Sequence, residues 1–306
     1  MVRFIASRLL ASAPVLFLVV TVVFFAFQLI PGDAARMYVG GYATDEAVEA
    51  ARHELGLDKP VLVQYANYLQ GIIRGDLGKS VQTRRPVVQE IFPSFVNTLQ
   101  LSLAAIVLAS ALGIALGTVA AIKQGTFWDH LMTVAALLGI SVPVFWLGLM
   151  MAYYFSVTLH ILPSAGNATW QAFLMPTVCL AAFSVAFITR MTRSSLLEIM
   201  GQDFIRTARA KGLRESVVVG GHALRNALVP VVTVIGLRFG YMLGGAVITE
   251  QVFAWPGLGR LLVTSVTQRD IPMIQGALLI FGASFVLVNL AVDLLYTFLD
   301  PRIRYR

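Results

Sequence analysis

The chain alternates long apolar runs with short polar, basic or turn-rich stretches, and the run lengths suit a bilayer better than a soluble core. A helix needs about 20 mostly apolar residues to cross the hydrocarbon. The first run covers 9–30 and stops at Pro31-Gly32-Asp33, the second covers 99–122, and the third covers 131–157 with Pro143 inside it. Pro176 opens a fourth that ends in Arg190 and Arg193, a fifth starts between Leu228 and Pro230 and reaches Val247, and a sixth covers 271–299. The pattern predicts an all-α integral membrane protein with six transmembrane helices and both termini on one side. Arg3 and Arg8 precede the first run as in a secretory signal, but the run is long and has no small-residue cleavage site before Pro31, so a retained anchor is expected.

Two connections carry helical patterns of their own. In 31–97, an amphipathic helix is predicted over 44–55, with Thr44 or Asp45 as N-cap and Gly56 at the stop. A second over 60–73 puts Leu62, Tyr65, Leu69 and Ile72 on one stripe. Together they predict a helical lid on the outer membrane surface. Between spans four and five, residues 198–230 are too polar to cross and too long for a plain turn. Helix formers from Asp203 to Lys211, with Gly212 as the stop, predict a short helix and then a second piece leading into span five. From the residues alone this stretch is either a basic loop on anionic lipid or a docking helix.

Composition and charge narrow the function. Hydrophobic residues make up 58% of the chain and charged ones 13%, far from the ~45–50% and ~25% of soluble domains. The net charge of +7 gathers at membrane edges: Arg3, Arg8, Lys123, the set Arg206, Arg209, Lys211, Arg214 and Arg225, and the tail Arg302, Arg304 and Arg306. Under the positive-inside rule that face is cytoplasmic, and topology with anionic lipid accounts for the charge without nucleic acid. Connection 160–173 has no lysine or arginine, as an outer loop should. "GDLGKS" (75–80) resembles the end of a phosphate-binding loop, but Ile73 stands where the first glycine is needed and the segment is external, so no nucleotide site is expected. His53, His130, His160 and His222 lack ligand spacing, and Cys179 is the sole cysteine, so neither a metal site nor an internal disulfide is predicted. Phe24, Phe25 and Phe27 are expected to face lipid or core.

"RTARAKGL" (206–213) with "HALRNALVPVVT" (222–233) resembles the cytoplasmic coupling loop of binding-protein-dependent ABC importer permeases of the dipeptide, oligopeptide, nickel and glutathione branch. "LIPGD" (29–33), "LGLDKP" (55–60), "GDLGKS", "TRSS" (192–195), "VFAWPGLGRLL" (252–262) and "DLLYTFLDPRIRY" (293–305) extend the resemblance over essentially the whole chain. It implies a type I importer transmembrane fold: residues 1–94 as the first helix plus external region, 95–299 as a five-span core with coupling loop 196–229, and 300–306 as a basic tail. It also implies a bacterial inner-membrane subunit with no ATPase site, which pairs with a second permease, two cytoplasmic ATPase subunits carrying ATP and Mg²⁺, and an external substrate-binding protein. Short peptides or glutathione are the expected cargo, with nickel or another small solute as the alternative; the short 160–173 connection leans toward the small cargoes.

Carried onto this chain, the coupling loop comprises Arg206, Thr207, Ala208, Arg209, Ala210, Lys211, Gly212, Leu213, His222, Arg225 and Asn226. Arg206-Thr207-Ala208 stand where the broader family has Glu-Ala-Ala, and Arg225 stands where it has a proline. Ala208 and Ala210 are expected to let the ATPase groove approach closely. For the translocation pathway the candidates are Arg238 in span five, for an anionic substrate or for a snorkelling or ion-pair role with Asp293 as a possible partner, the glycine series Gly236, Gly240 and Gly244, for sliding or static packing, and Glu250, Trp255, Pro256 and Gly257, as an outer gate or a plain structural turn. Gly113 and Gly117 form a second smooth face that serves either sliding or fixed packing. A secondary carrier would need inverted repeats, and an intramembrane enzyme a nucleophile with a base at depth; neither pattern is present.

Overall fold

A computed structural model describes residues 2–28, 34–39, 43–54 and 56–299. The Pro31 stop signal, Leu55 and the basic tail lie outside the described residues, as does the side chain of Asp293. The regular elements among the described residues are helices, in the order α1 (Val2–Gln28), α2 (Ala34–Val39), α3 (Asp45–Glu54), α4 (Val61–Arg74), α5 (Val87–Ile122), α6 (Phe127–Ser141) and α7 (Val144–Met151). A π-turn (Ala152–Thr158) and a 3₁₀ turn (Trp170–Phe173) lead to α8 (Leu174–Met200), α9 (Asp203–Ala210) and α10 (Glu215–Val217). A second π-turn (Val218–Ala223) then feeds α11 (Leu224–Val252), α12 (Leu258–Thr267) and α13 (Ile271–Leu299).

Five of these segments are long and apolar enough to cross a membrane, and a sixth span exists only if α6 and α7 are counted together. The third span, expected over 131–157 with Pro143 inside it, is bent by 99° between α6 and α7, at Val142-Pro143. Proline has no N–H to give the helix, and its ring drives the preceding residue out of the α region. Val142 accordingly sits at φ −90°, ψ 123°. The sixth span keeps its bounds, and the others keep their places but run longer. Helix α5 begins at Val87, α8 continues past Arg193 to Met200, and α11 begins at Leu224. Apolar runs mark where a helix meets lipid, whereas good helix formers carry it on into the polar layer.

The chain packs as two units. The first holds residues 1–98 and 256–286. Within it α2 and α3 bury Ala35, Val48 and Ala51 against each other, and the Thr44 hydroxyl receives the Ala47 N–H at 3.4 Å, as an N-cap should. Helix α4 lies on α1 through Tyr65 and Tyr68, whose rings sit 5.2 and 5.5 Å from that of Phe24. Leu62, expected on this stripe, is exposed, so the packed face begins one turn later. Burial, with Tyr65 beside it, pushes the Tyr68 phenol up to about 12. A separate core of Val87, Ile91, Leu258, Met273 and Ala277 joins the start of α5 to α12 and α13.

The second unit holds 99–255 and 287–306. Its inner helix is α8, with 61% of its apolar stretch buried, compared with 11% for the lipid-facing α1 of the other unit. Leu101, Ala105 and Ala109 of α5, Leu180 and Ile188 of α8, and Val231, Met242 and Ala246 of α11 close round it.

Candidate functional site

Helix α9 has one apolar face, and that face is used internally. Ile205 and Ala208, three residues apart, are buried with Ala121 at the end of α5, Leu196 near the end of α8, and Val218, Val219, Ala223 and Ala227 leading into α11. Gly212 ends the helix at φ +75°, a conformation that costs any residue with a Cβ, and the chain turns back with Gly212 N–H on the Arg209 carbonyl at 2.9 Å. Arg209 then clasps Glu215 through two contacts of 2.6 and 3.1 Å. The result is a short helix seated across the ends of three long ones. Its outward face carries Phe204, Arg206, Thr207, Ala210, Lys211 and Leu213, all exposed. Ala208 does not face outward as expected; it is buried with Ile205 and belongs to the seat. His222, Arg225 and Asn226 are exposed on the following turns, where the Asn226 amide donates to the His222 carbonyl at 2.7 Å.

One helical turn before Leu196, Arg193 makes a bidentate pair with Asp129 at the start of α6, both contacts at 2.7 Å. Asp129 is buried and also accepts the Gly125 N–H at 3.0 Å. The pair pins α6 and the preceding turn to α8 beside the seat of α9. The "TRSS" stretch is thus structural here: Arg193 is paired, and Thr192 and Ser195 are buried. Sequence reading missed this link, although an aspartate opening one span and an arginine closing another were its available signal.

Arg238 stands midway along α11, roughly four turns from either end, and near the centre of the apolar run expected for span five. An arginine at such depth costs about 2.5–3.5 kcal/mol on insertion scales. Its guanidinium carbon lies 3.4 Å from the Phe187 ring centroid, 5.3 Å from Phe183 and 5.8 Å from Tyr241. It borders a cavity of about 260 Å³ whose other walls include Leu180, Phe183, Ser184 and Met242. No carboxylate pairs with Arg238 among the described residues, and the Asp293 side chain lies outside them.

The other expected pathway residues are spread along α11 and the turn after it. Glu250 is buried about three turns further along α11, its carbonyl accepting the Trp255 N–H at 2.9 Å. Trp255 packs on Phe173 at 5.3 Å, and the Pro256 carbonyl accepts from Asn97 at 2.8 Å. The glycine series is split: Gly236 lies against Val292, Gly240 is buried, and Gly244 opens onto free space.

The "GDLGKS" loop is a latch within the first unit. Its buried Ser80 hydroxyl donates to Asp270, which also accepts the N–H of Met273 in the first turn of α13 at 3.3 Å. Serine is thereby committed to a carboxylate instead of a phosphate. Ser80→Ala should lower the unfolding free energy by about 1–3 kcal/mol, because it leaves a buried acceptor underused; chemical denaturation in detergent would measure it.

Residues 1–104 match the N-terminal domain of binding-protein-dependent transport membrane components, and residues 113–305 match the binding-protein-dependent transport system inner membrane component. The chain belongs to this family of ABC importer permeases. It is 44% identical, over the full length of both chains, to the glutathione transport system permease protein GsiC of Escherichia coli K12, and equally to that of Salmonella typhimurium LT2. The fold is that of a type I importer transmembrane domain. The inward-facing MetNI methionine ABC transporter aligns with a TM-score of 0.58 at 19% identity, covering 70% of this chain and 97% of the other. An amino acid ABC transporter gives 0.54 at 17% identity, covering 68% and 94%.

Proposed function

We propose that this permease is one half of the membrane pathway of an ATP-driven importer for short peptides or glutathione, with α9 as the helix that couples it to an ATPase subunit. The observation that carries this reading is the seating of α9: an exposed, partly apolar and basic face outside, and a buried face that grips α5, α8 and α11 at once. Any push on α9 is delivered to three spans, and the Asp129–Arg193 pair adds α6. Two such subunits moved by ATPases closing on ATP and Mg²⁺ would shift the bundle between access states, provided that the ATPases hold α9 differently in each. The chain itself performs no covalent chemistry in this scheme. The basic connections support a cytoplasmic position for α9 and both termini, with an external binding protein delivering cargo from the other side. Glutathione and short peptides are favoured because whole-length relatives at 44% identity are named as glutathione permeases.

The test is uptake of labelled glutathione and alanyl-alanine into vesicles holding this chain, its partner permease, the ATPases and the binding protein. Leu213→Asp alters the exposed side of the α9 turn and leaves its buried seat intact. Uptake should require ATP and fall more than tenfold in the variant, while the permease pair still purifies as a folded complex. Uptake without ATP, or unaffected by Leu213→Asp, would refute coupling through this helix.

A further inference from the structure

We propose that the cavity beside Arg238 is a subsite for a carboxylate of the transported substrate, an inference that rests on the importer reading above. Arg238 lies midway along α11, and Arg190 of α8 approaches the same Phe187 ring, its guanidinium carbon 5.7 Å from the centroid. Neither has a carboxylate partner among the described residues. Asp129, on α6, is already committed to Arg193. A guanidinium stem can carry its charge about one turn toward water, and from the middle of α11 that leaves the headgroup layer out of reach.

The stacking also fixes how the charge is presented. A guanidinium lying over an aromatic ring spends its face on the π-system and keeps its edge N–H groups for an acceptor, and a carboxylate fits that fork in bidentate fashion. The cavity it borders supplies Ser184 and Tyr241 as further polar side chains, while Leu180, Phe183 and Met242 make the walls apolar. Its volume of about 260 Å³ lies below the ~300–1,000 Å³ of sites that enclose a whole small ligand. It therefore takes the end of a substrate, a terminal carboxylate with its adjoining side chain, while the remainder stays in the pathway. Partial enclosure suits a site that must release its ligand in every cycle.

The experiment compares wild type, Arg238→Gln and Arg238→Lys in the complete assembly of both permeases, ATPases and binding protein, in phosphatidylcholine vesicles. Labelled glutathione and alanyl-alanine are the probes, and ATP hydrolysis stimulated by the binding protein is followed in parallel. The subsite predicts at least a tenfold fall in uptake for Arg238→Gln, ATPase stimulation within twofold of wild type, and partial recovery in Arg238→Lys, which keeps the charge but not the fork. Wild-type uptake that persists unchanged in Arg238→Gln overturns the subsite alone. Loss of uptake and ATPase stimulation together in both variants means that Arg238 only holds the fold, and overturns it as well. A deficit seen only when phosphatidylglycerol is included identifies an anionic lipid headgroup as the ligand and has the same effect. No ATP-dependent uptake by wild type overturns the importer reading and the subsite with it.

Discussion

Gly117→Val is expected to leave no folded permease that survives detergent extraction. In the second unit Gly117 of α5 faces α8 so closely that a Cβ would stand 2.6 Å from the Thr189 carbonyl oxygen and 3.1 Å from the Arg193 nitrogen. These are backbone atoms, so no rotamer change can make room. Gly113, one turn earlier on the same face, is in the same situation, its Cβ falling 2.6 Å from that of Ile188. Overpacking of an ordinary core costs about 1–3 kcal/mol where side chains can adjust. Here two helices must separate, and a loss at or above about 3 kcal/mol is expected for valine, with a smaller loss for Gly117→Ala. Gly244→Ala is the control, since nothing lies within 4 Å of its Cβ and alanine favours the helix by up to about 1 kcal/mol. Thermal unfolding of the detergent-solubilised proteins would decide: a Gly117→Val protein melting like wild type would mean that the close contact does not exist. The glycine faces of α5 and α11 therefore differ in kind, one a fixed backbone contact and the other partly open.

The membrane spans were readable because hydrocarbon imposes a length and composition that little else demands. What the run lengths could not give was the continuation of α5, α8 and α11 into polar sequence, or the sharp bend at Pro143. A proline within a span is compatible with a mild kink or a full break, and neighbouring packing chooses between them. The α9 helix was legible from its helix formers and from Gly212, but the direction of its faces was not. Ala208 and Ala210 look alike in sequence, yet one is buried in the seat and the other is exposed, because only position 208 shares a face with Ile205. The Arg238 cavity needed Phe183 and Phe187 of α8 to meet α11, and no spacing rule links two helices that far apart in the chain.

The same limit concealed the pair whose loss should matter most after Gly117. Arg193→Ala is predicted to destabilise the permease by about 3–5 kcal/mol, the range for breaking a buried pair by removing one partner. The asymmetry of the pair sets the order of effects. The Asp129 side chain is only 4% exposed, whereas that of Arg193 is 31% exposed. Removing the arginine strands a carboxylate away from water; removing the aspartate leaves a guanidinium that can still reach it. Asp129→Ala should therefore cost less than Arg193→Ala, and Asp129→Asn least, since the amide oxygen can still accept from Gly125 or from Arg193. The double change Asp129→Leu with Arg193→Met removes both charges and should regain much of the loss, because a buried pair contributes little net stability over well-packed apolar groups. Unfolding midpoints of the four variants would show this order, and equal losses for the two single alanine variants would contradict it. Transport should separate the double variant from wild type even if stability does not. The bidentate pair holds α6 to α8 in one geometry, and an apolar contact can slide, so the push from α9 would reach α5, α8 and α11 but pass weakly into α6. Uptake that falls while the melting temperature stays near wild type is the expected mark of a link that transmits motion as well as holding the fold.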